Sequence, residues 1–217
     1  MRLSLGILSV LSALAATGHS LSCQNCTSAS STSCLGPSVT CAPDNVCAAS
    51  YILTTVYGGP ASKIYTLSCA PQSKCDKQGS ISIPQAKIKQ GISCCFTDNC
   101  TPTTPTLPVD SSQQNGLVCR SCISADSTWC YTSDTMQCTG EEKMCILQST
   151  KITGSQSLST AVRGCATKSI CDIGSNSIST PQLSMDVKIS CTSGSSGVHQ
   201  GYIMLLLVPI ALMKILY

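Results

Sequence analysis

Short runs of β-branched and aromatic residues alternate along the chain with glycine, proline and serine punctuation. Ala48 to Tyr57 (AASYILTTVY) reads as a strand, Gly58-Gly59-Pro60 breaks it, and Lys63 to Leu67 (KIYTL) resumes it, which predicts a β-hairpin. Further along, Cys145 to Ile152 (CILQSTKI), a Thr153-Gly154-Ser155 break and Leu158 to Arg163 repeat the same plan. A third hairpin is placed between Cys75 and Cys94 and again between Cys171 and Cys191. Its register stays open, because serine-rich sequence weakens the strand signal. The expected class is all-β, made of strands and turns and not of helices.

Two apolar segments stand outside this pattern. Arg2 followed by apolar Leu3 to Ala16 and small residues ahead of Cys23 describes a secretory signal peptide, read as residues 1–20. Cleavage after Ser20 fits the small-residue positions, and cleavage near Ala16 is the alternative. At the other end, Tyr202 to Tyr217 is apolar apart from Lys214 and comes after the small, polar stretch Thr192 to Gly197. A spanning helix needs about 20 apolar residues; this segment is shorter, carries Pro209 and has no basic tail after it. Small-residue site, polar spacer and apolar tail describe a glycosylphosphatidylinositol signal, with Ser193 as the attachment residue within the window 192–197 and residues 194–217 removed. The alternatives are a single-pass helix and a secreted tail.

The 18 cysteines change the picture of what holds the strands together. At about 8 % they mark a disulfide scaffold and an oxidising compartment. Cys23, Cys26, Cys34, Cys41, Cys47, Cys69, Cys75 and Cys94 recur, in order, as Cys119, Cys122, Cys130, Cys138, Cys145, Cys165, Cys171 and Cys191. This repeat predicts a first domain over residues 21–101 and a second over 117–193. The segment between, 102–116, holds Pro102, Pro105 and Pro108 among Ser, Thr and Gln, and is expected to be an extended linker. With Phe96 the only phenylalanine and Trp129 the only tryptophan, covalent bridges are expected to substitute for buried area.

Charge and side-chain chemistry exclude more than they suggest. Residues 21–193 carry eleven Lys and Arg against ten Asp and Glu, so nothing in the balance points to nucleic acid or an anionic surface. His19 and His199 are the only histidines and both fall in segments expected to be removed. Serine or cysteine nucleophiles would then lack their usual base. The carboxylates are few and scattered, Glu141-Glu142 reading as a solvated turn and Asp98 as structural. The expectation is a chain without catalytic activity, cofactor or metal. Cys23-x-x-Cys26 and Cys119-x-x-Cys122 have zinc and redox readings too, but an oxidising route and even cysteine numbers favour bridges. Lys87-Ile88-Lys89 reads as a solvated strand in preference to an anion-binding stripe. Asn25-Cys26-Thr27 and Asn99-Cys100-Thr101 are sequons, which place candidate sugars on Asn25 and Asn99.

Leu21-x-Cys23-x-x-Cys26, the step from Cys69 to Cys75, and Cys94-Cys95-Phe96-Thr97-Asp98-Asn99-Cys100 together resemble the three-finger domains of the lymphocyte antigen-6 and urokinase-receptor family. The resemblance covers both repeats and implies two disulfide-rich, snake-toxin-like β domains in tandem. Sequence by itself leaves connectivity open, since even eight cysteines allow 105 pairings. The family pattern implies Cys23 with Cys47, Cys26 with Cys34, Cys41 with Cys69, Cys75 with Cys94 and Cys95 with Cys100. In the second copy it implies Cys119 with Cys145, Cys122 with Cys130, Cys138 with Cys165 and Cys171 with Cys191. Two departures stand out: Thr101 replaces the family's asparagine after the last cysteine, and the second copy lacks the final cysteine pair. The shortened copy is similar to gamma-type inhibitors of secreted phospholipases A2.

Taken together, the residues and the resemblance predict a non-enzymatic protein-binding module on the outer face of the plasma membrane, anchored by glycolipid, with an extracellular or membrane protein as partner. The alternative is a regulator of a secreted phospholipase A2, soluble or membrane-bound. Candidate contact residues at hairpin tips are Val56, Tyr57, Lys63 and Tyr65 in the first copy and Trp129, Tyr131 and Met136 in the second. In a chain so poor in large apolar residues, Trp129 is also expected to serve the small core.

Overall fold

The computed structural model describes residues 20–154, 157–179 and 184–193. Residues 1–19 of the expected signal peptide and the whole expected anchor signal, 194–217, lie outside the described residues, as do both histidines. Within them the chain is almost entirely β. The first repeat forms β1 (Ser22–Gln24), β2 (Cys26–Ser28), β3 (Ser38–Thr40), β4 (Asn45–Val56), β5 (Ala61–Pro71), β6 (Gln78–Ile83) and β7 (Ala86–Cys95). The second forms β8 (Gln114–Arg120), β9 (Cys122–Ser124), β10 (Thr135–Thr139), β11 (Met144–Thr153), β12 (Leu158–Ala166), a short helix α1 (Lys168–Ile173), β13 (Asn176–Ser179) and β14 (Ser184–Ser193).

The expected hairpins are these strands. β11 pairs antiparallel with β12 from Met144↔Ala166 to Ile152↔Leu158, and with β14 from Met144↔Ser193 to Thr153↔Ser184. β6 pairs with β7 from Gln78↔Gly91 to Ile83↔Ala86, leaving Pro84 and Gln85 as the turn. The helix α1 is a correction to the helix-free reading. Its Ile170 is buried, and Lys168 and Asp172 form an i,i+4 ion pair at 2.7 Å on the outer face.

The compact units do not coincide with the repeats. One unit takes the described residues up to Tyr51 together with Lys63–Lys77 and Ile92–Thr106. The other takes Ile52–Ser62, Gln78–Gly91 and the described residues from Leu107 on. The first unit has its core in sulfur: Cys23, Cys41 and Cys47 are buried, backed by Cys69, Cys95 and Cys100, with Ala49, Tyr65 and Leu67 beside Cys26 and Cys34. In the second unit Ile81, Ile83, Ala86, Ile146, Ala166 and Ile170 form one apolar cluster. Burying an isoleucine side chain is worth roughly 1.5–3 kcal/mol, so this cluster is a conventional hydrophobic core.

That cluster exists because β6 joins the second repeat's sheet, pairing with β12 at Cys165↔Ser82 and Ala166↔Ile81. Two glycines permit the approach. A Cβ on Gly164 would collide with the Ser82 carbonyl oxygen, and one on Gly79 would stand 2.5 to 2.7 Å from Thr167 Oγ1, Ser169 Oγ and Ile170 Cγ1. The Ser80 amide donates to Thr167 Oγ1 at 3.1 Å, and the Thr167 amide donates to the Ser80 carbonyl at 3.0 Å.

The same seam buries a carboxylate. Glu142 is 2 % exposed, and its Oε1 accepts from Ser80 Oγ at 2.6 Å and Ser82 Oγ at 2.9 Å. Lys87 Nζ lies 3.7 Å from that oxygen, while Oε2 is buried without a partner. The solvated-turn reading of Glu141-Glu142 thus holds only for Glu141, whose side chain is 82 % exposed and pairs with Lys143. Lys87 and Lys89 are likewise no solvated strand: both ammonium groups meet Asp110, and the two side chains are largely covered. A hydrogen bond from Lys89, reinforced by both positive charges against an opposing cost of burial, holds the Asp110 carboxyl below the usual carboxylate range.

The segment expected as an extended linker makes contacts at both of its ends. Pro102 and Pro105 are buried in the first unit, where Ser93 Oγ donates to the Thr103 carbonyl. In the second unit Asp110 takes its two lysines and β8 begins at Gln114.

Candidate binding surface

Bridges fix the hub from which the hairpins project. The first unit contains Cys23–Cys47, Cys26–Cys34, Cys41–Cys69, Cys75–Cys94 and Cys95–Cys100. The second contains Cys119–Cys145, Cys122–Cys130, Cys138–Cys165 and Cys171–Cys191. No cysteine is left free. Sulfur atoms do crowd within 4.8 Å of one another, as in Cys23, Cys41 and Cys69 or Cys119, Cys138 and Cys165. All of them are bridged, and a bridged sulfur is not the thiolate that binds metal or attacks a disulfide.

The end of the first repeat is closed by Asp98 and Asn99 rather than by a residue after Cys100. Asp98 Oδ1 accepts the Ser22 amide at 2.8 Å, and the Asn99 amide donates to the Ser22 carbonyl at 2.7 Å. Asn99 Oδ1 also accepts from Ser38 Oγ at 2.5 Å. Asn25 and Asn99 are both exposed. Ser193 is the last residue of β14, opposite Met144.

The contact candidates separate into surface and core. Val56 and Tyr57, at the end of β4 and the start of its turn, are 44 % and 57 % exposed, and Lys63 is exposed on β5. Tyr65 is a correction: it is buried beside Ala49 and Leu67, and burial raises its phenol above the ordinary value. Tyr65 and Leu67 stand two residues apart on one face of β5, a period-two signal already present in KIYTL. Met136 is half-buried, packed against the Cys119, Cys138 and Cys165 cluster. Trp129 is corrected in the other direction, from core to surface, at 50 % exposure, next to Tyr131 at 90 %.

Trp129 and Tyr131 flank Cys130, whose bridge to Cys122 pins this loop to β9. β9 is in turn paired to β12 through Arg163↔Cys122. Arg163, on β12, lays its guanidinium over the Trp129 ring, 4.5 Å from the centroid. Such a stack is worth about 0.5–1 kcal/mol at an exposed site and holds the indole in one orientation. Arg120, on β8, donates from Nη1 to the Thr132 carbonyl at 2.5 Å. Val118 and Ile123 are also exposed, at 47 % and 43 %. Neither arginine stands out in the sequence, because the pairing that brings β8, β12 and the Trp129 loop together is not local.

Among the described residues there is no histidine, and no helix long and apolar enough to cross a membrane. Carboxylates are tied into structural contacts: Asp98 to Ser22, Asp110 to Lys89, Glu142 to Ser80, Asp186 to Ser177.

Comparison with known proteins reaches both repeats. The model of the u-PAR/Ly-6 domain matches residues 19–103 and again 115–197. Among solved structures, that of mouse TEX101 is similar, with 17 % identity, a TM-score of 0.36, and coverage of 79 % of this chain and 97 % of that one. Matched over both repeats and most of its length, the chain belongs to the u-PAR/Ly-6 family, whose domains are typically extracellular protein-binding modules and generally non-enzymatic.

Proposed function

We propose that this chain binds another protein at the cell surface, without catalysis, and is held on the outer leaflet by a glycosylphosphatidylinositol anchor attached at or near Ser193. The observation that carries the binding reading is the set of large apolar side chains, Val56, Tyr57, Trp129 and Tyr131, exposed on hairpins and loops fixed by disulfides. A loop already ordered by covalent bridges loses little conformational freedom when a partner docks. Sugars on Asn25 and Asn99 would sit on exposed ground. The domain bounds 21–101 and 117–193 remain the proposed repeats, with 102–116 between them.

Cells expressing the full chain test both parts. Phosphatidylinositol-specific phospholipase C releases the protein into the medium under this reading; retention after treatment sinks the anchor. The released protein is then applied to cells lacking it. Saturable surface binding, weakened at least tenfold by Trp129→Ala with Tyr131→Ala, is expected, and unsaturable or unaltered binding counts against the surface. A second reading, restraint of a secreted phospholipase A2, is favoured only by the second repeat having Cys191 as its last cysteine. Titration against a panel of such enzymes, with no inhibition found, would remove it.

A further inference from the structure

Two grooves meet at the Trp129 indole. One, of about 600 Å³, is lined by Val118, Arg120, Trp129, Leu147 and Arg163 together with the end of β14. The other, of about 230 Å³, shares Arg120, Trp129 and Arg163 and adds Tyr131. The only charged side chains in either lining are the two arginines. Among the described residues neither arginine is in an ion pair; every cation that is paired is a lysine. Arg163 Nε is buried without an acceptor, and Arg120 commits one N–H to Thr132. A guanidinium has five N–H donors in a planar fork, so the exposed Arg120 keeps most of its set for a ligand, while Arg163, its Nε buried, has at most its terminal nitrogens to offer. Asp126, in a third concavity that shares Trp129 and Tyr131, is occupied with Ser124 Oγ at 2.9 Å.

A forked cation matches a carboxylate with two parallel hydrogen bonds, and an exposed indole or phenol supplies apolar area with a polar edge. We infer that this surface takes an acidic, partly apolar peptide segment of the partner protein. Arg120 and Arg163 receive its carboxylates, and Trp129, Tyr131 and Val118 pack against its apolar side chains. The inference rests on the protein-binding reading above and names the chemistry of the partner. A sulfated polysaccharide fits less well: it asks for a track of many cations, whereas two cations here share the lining with aromatic and aliphatic groups.

Trp129 is the chain's only tryptophan, so intrinsic tryptophan fluorescence reports on this surface alone. The purified full chain is titrated with a ten-residue acetylated peptide of glutamate and aspartate interspersed with leucine, and with the same peptide carrying glutamine and asparagine instead. The acidic peptide is expected to shift Trp129 emission saturably, and its amide counterpart to bind at least tenfold more weakly. Arg120→Gln combined with Arg163→Gln should reduce acidic-peptide affinity tenfold or more. Because Arg163 is partly packed, the exposed Arg120→Gln alone serves as the folding-safe variant, with a three- to tenfold loss expected. Equal responses to the two peptides, or none to either, overturn the inference. A response confined to a heparin tetrasaccharide or to phosphatidylserine vesicles overturns it in favour of a glycan or lipid ligand. A response to a lysine-rich peptide instead overturns the acidic assignment and leaves the protein-binding reading standing, whereas failure of that reading shows as absent cell-surface binding of the released protein.

Discussion

The two compact units reach order by different routes. The first holds five bridges around a cystine centre, with small or scattered apolar groups, Val46, Ala48, Ala49, Tyr65, Leu67 and Ile92, buried beside it. The second holds four bridges, lacks the pair that closes the first, and carries an isoleucine cluster plus a buried glutamate. Ile81, Ile83 and Ala86 of that cluster come from the first repeat. One protein thus shows cross-links and apolar burial as alternative means of offsetting chain entropy.

Native-state hydrogen exchange, read unit by unit, gives the means of breaking this comparison. The largest effect is expected from Cys41→Ala with Cys69→Ala, which removes a bridge spanning 28 residues. Loss of about 2–5 kcal/mol is expected. Its largest rise in exchange should fall in β1 to β5; an equal rise in β11 and β12 would erase the distinction. Ile146→Ala should cost about 2–4 kcal/mol by leaving a cavity, with the rise now in β6, β11 and β12 and little change in β1 and β3. Next in size, Glu142→Gln keeps the shape but exchanges a charged acceptor of two hydroxyl hydrogen bonds for a neutral one, for about 1–2 kcal/mol. Urea midpoints for this variant and for Ser80→Ala with Ser82→Ala should move together and combine less than additively.

The smallest effect is a pH dependence. Asp110 has a depressed folded-state pKa, so its contribution is present above the ordinary carboxylate value and fades as pH falls through the lower folded-state value. Asp110→Asn should flatten that acid limb slightly, and raising the salt concentration should do the same, because the carboxylate is largely exposed. An unchanged acid limb in the variant would place the dependence elsewhere.

The features legible in the sequence are local ones. The β4–β5 and β11–β12 hairpins announce themselves in AASYILTTVY and CILQSTKI, where β-branched runs meet glycine breaks, and the family is legible in the cysteine ladder with its closing Cys94-Cys95 and Cys100. The features that escape are set by partners far along the chain. Glu142 looks solvated because its neighbours are Glu141 and Lys143, yet its hydrogen-bond donors are 62 and 60 residues away. Helix α1 is six residues, too short for a 3.6-residue period to show. Trp129 is assigned to the core by its size, while Arg163, whose guanidinium stacks on it at the surface, is on another strand. Tyr65 lies inward with Leu67 on one face of β5, an alternation that KIYTL does show, although its nearness to a hairpin tip suggests exposure.

The seam between β6 and β12 sets a limit on how this molecule can be cut. Cysteine spacing marks out two copies, and a gene engineer or a recombination event would part them in the proline-containing stretch. The first half would leave with Ile81, Ile83, Ser80 and Ser82, and the second would keep Ile146, Ala166 and Glu142. A half-gene would therefore encode a wet isoleucine face on one side and an orphaned carboxylate on the other. The heritable repeat is smaller than the thing that folds, so such a chain can be transplanted as the pair and not as the single copy.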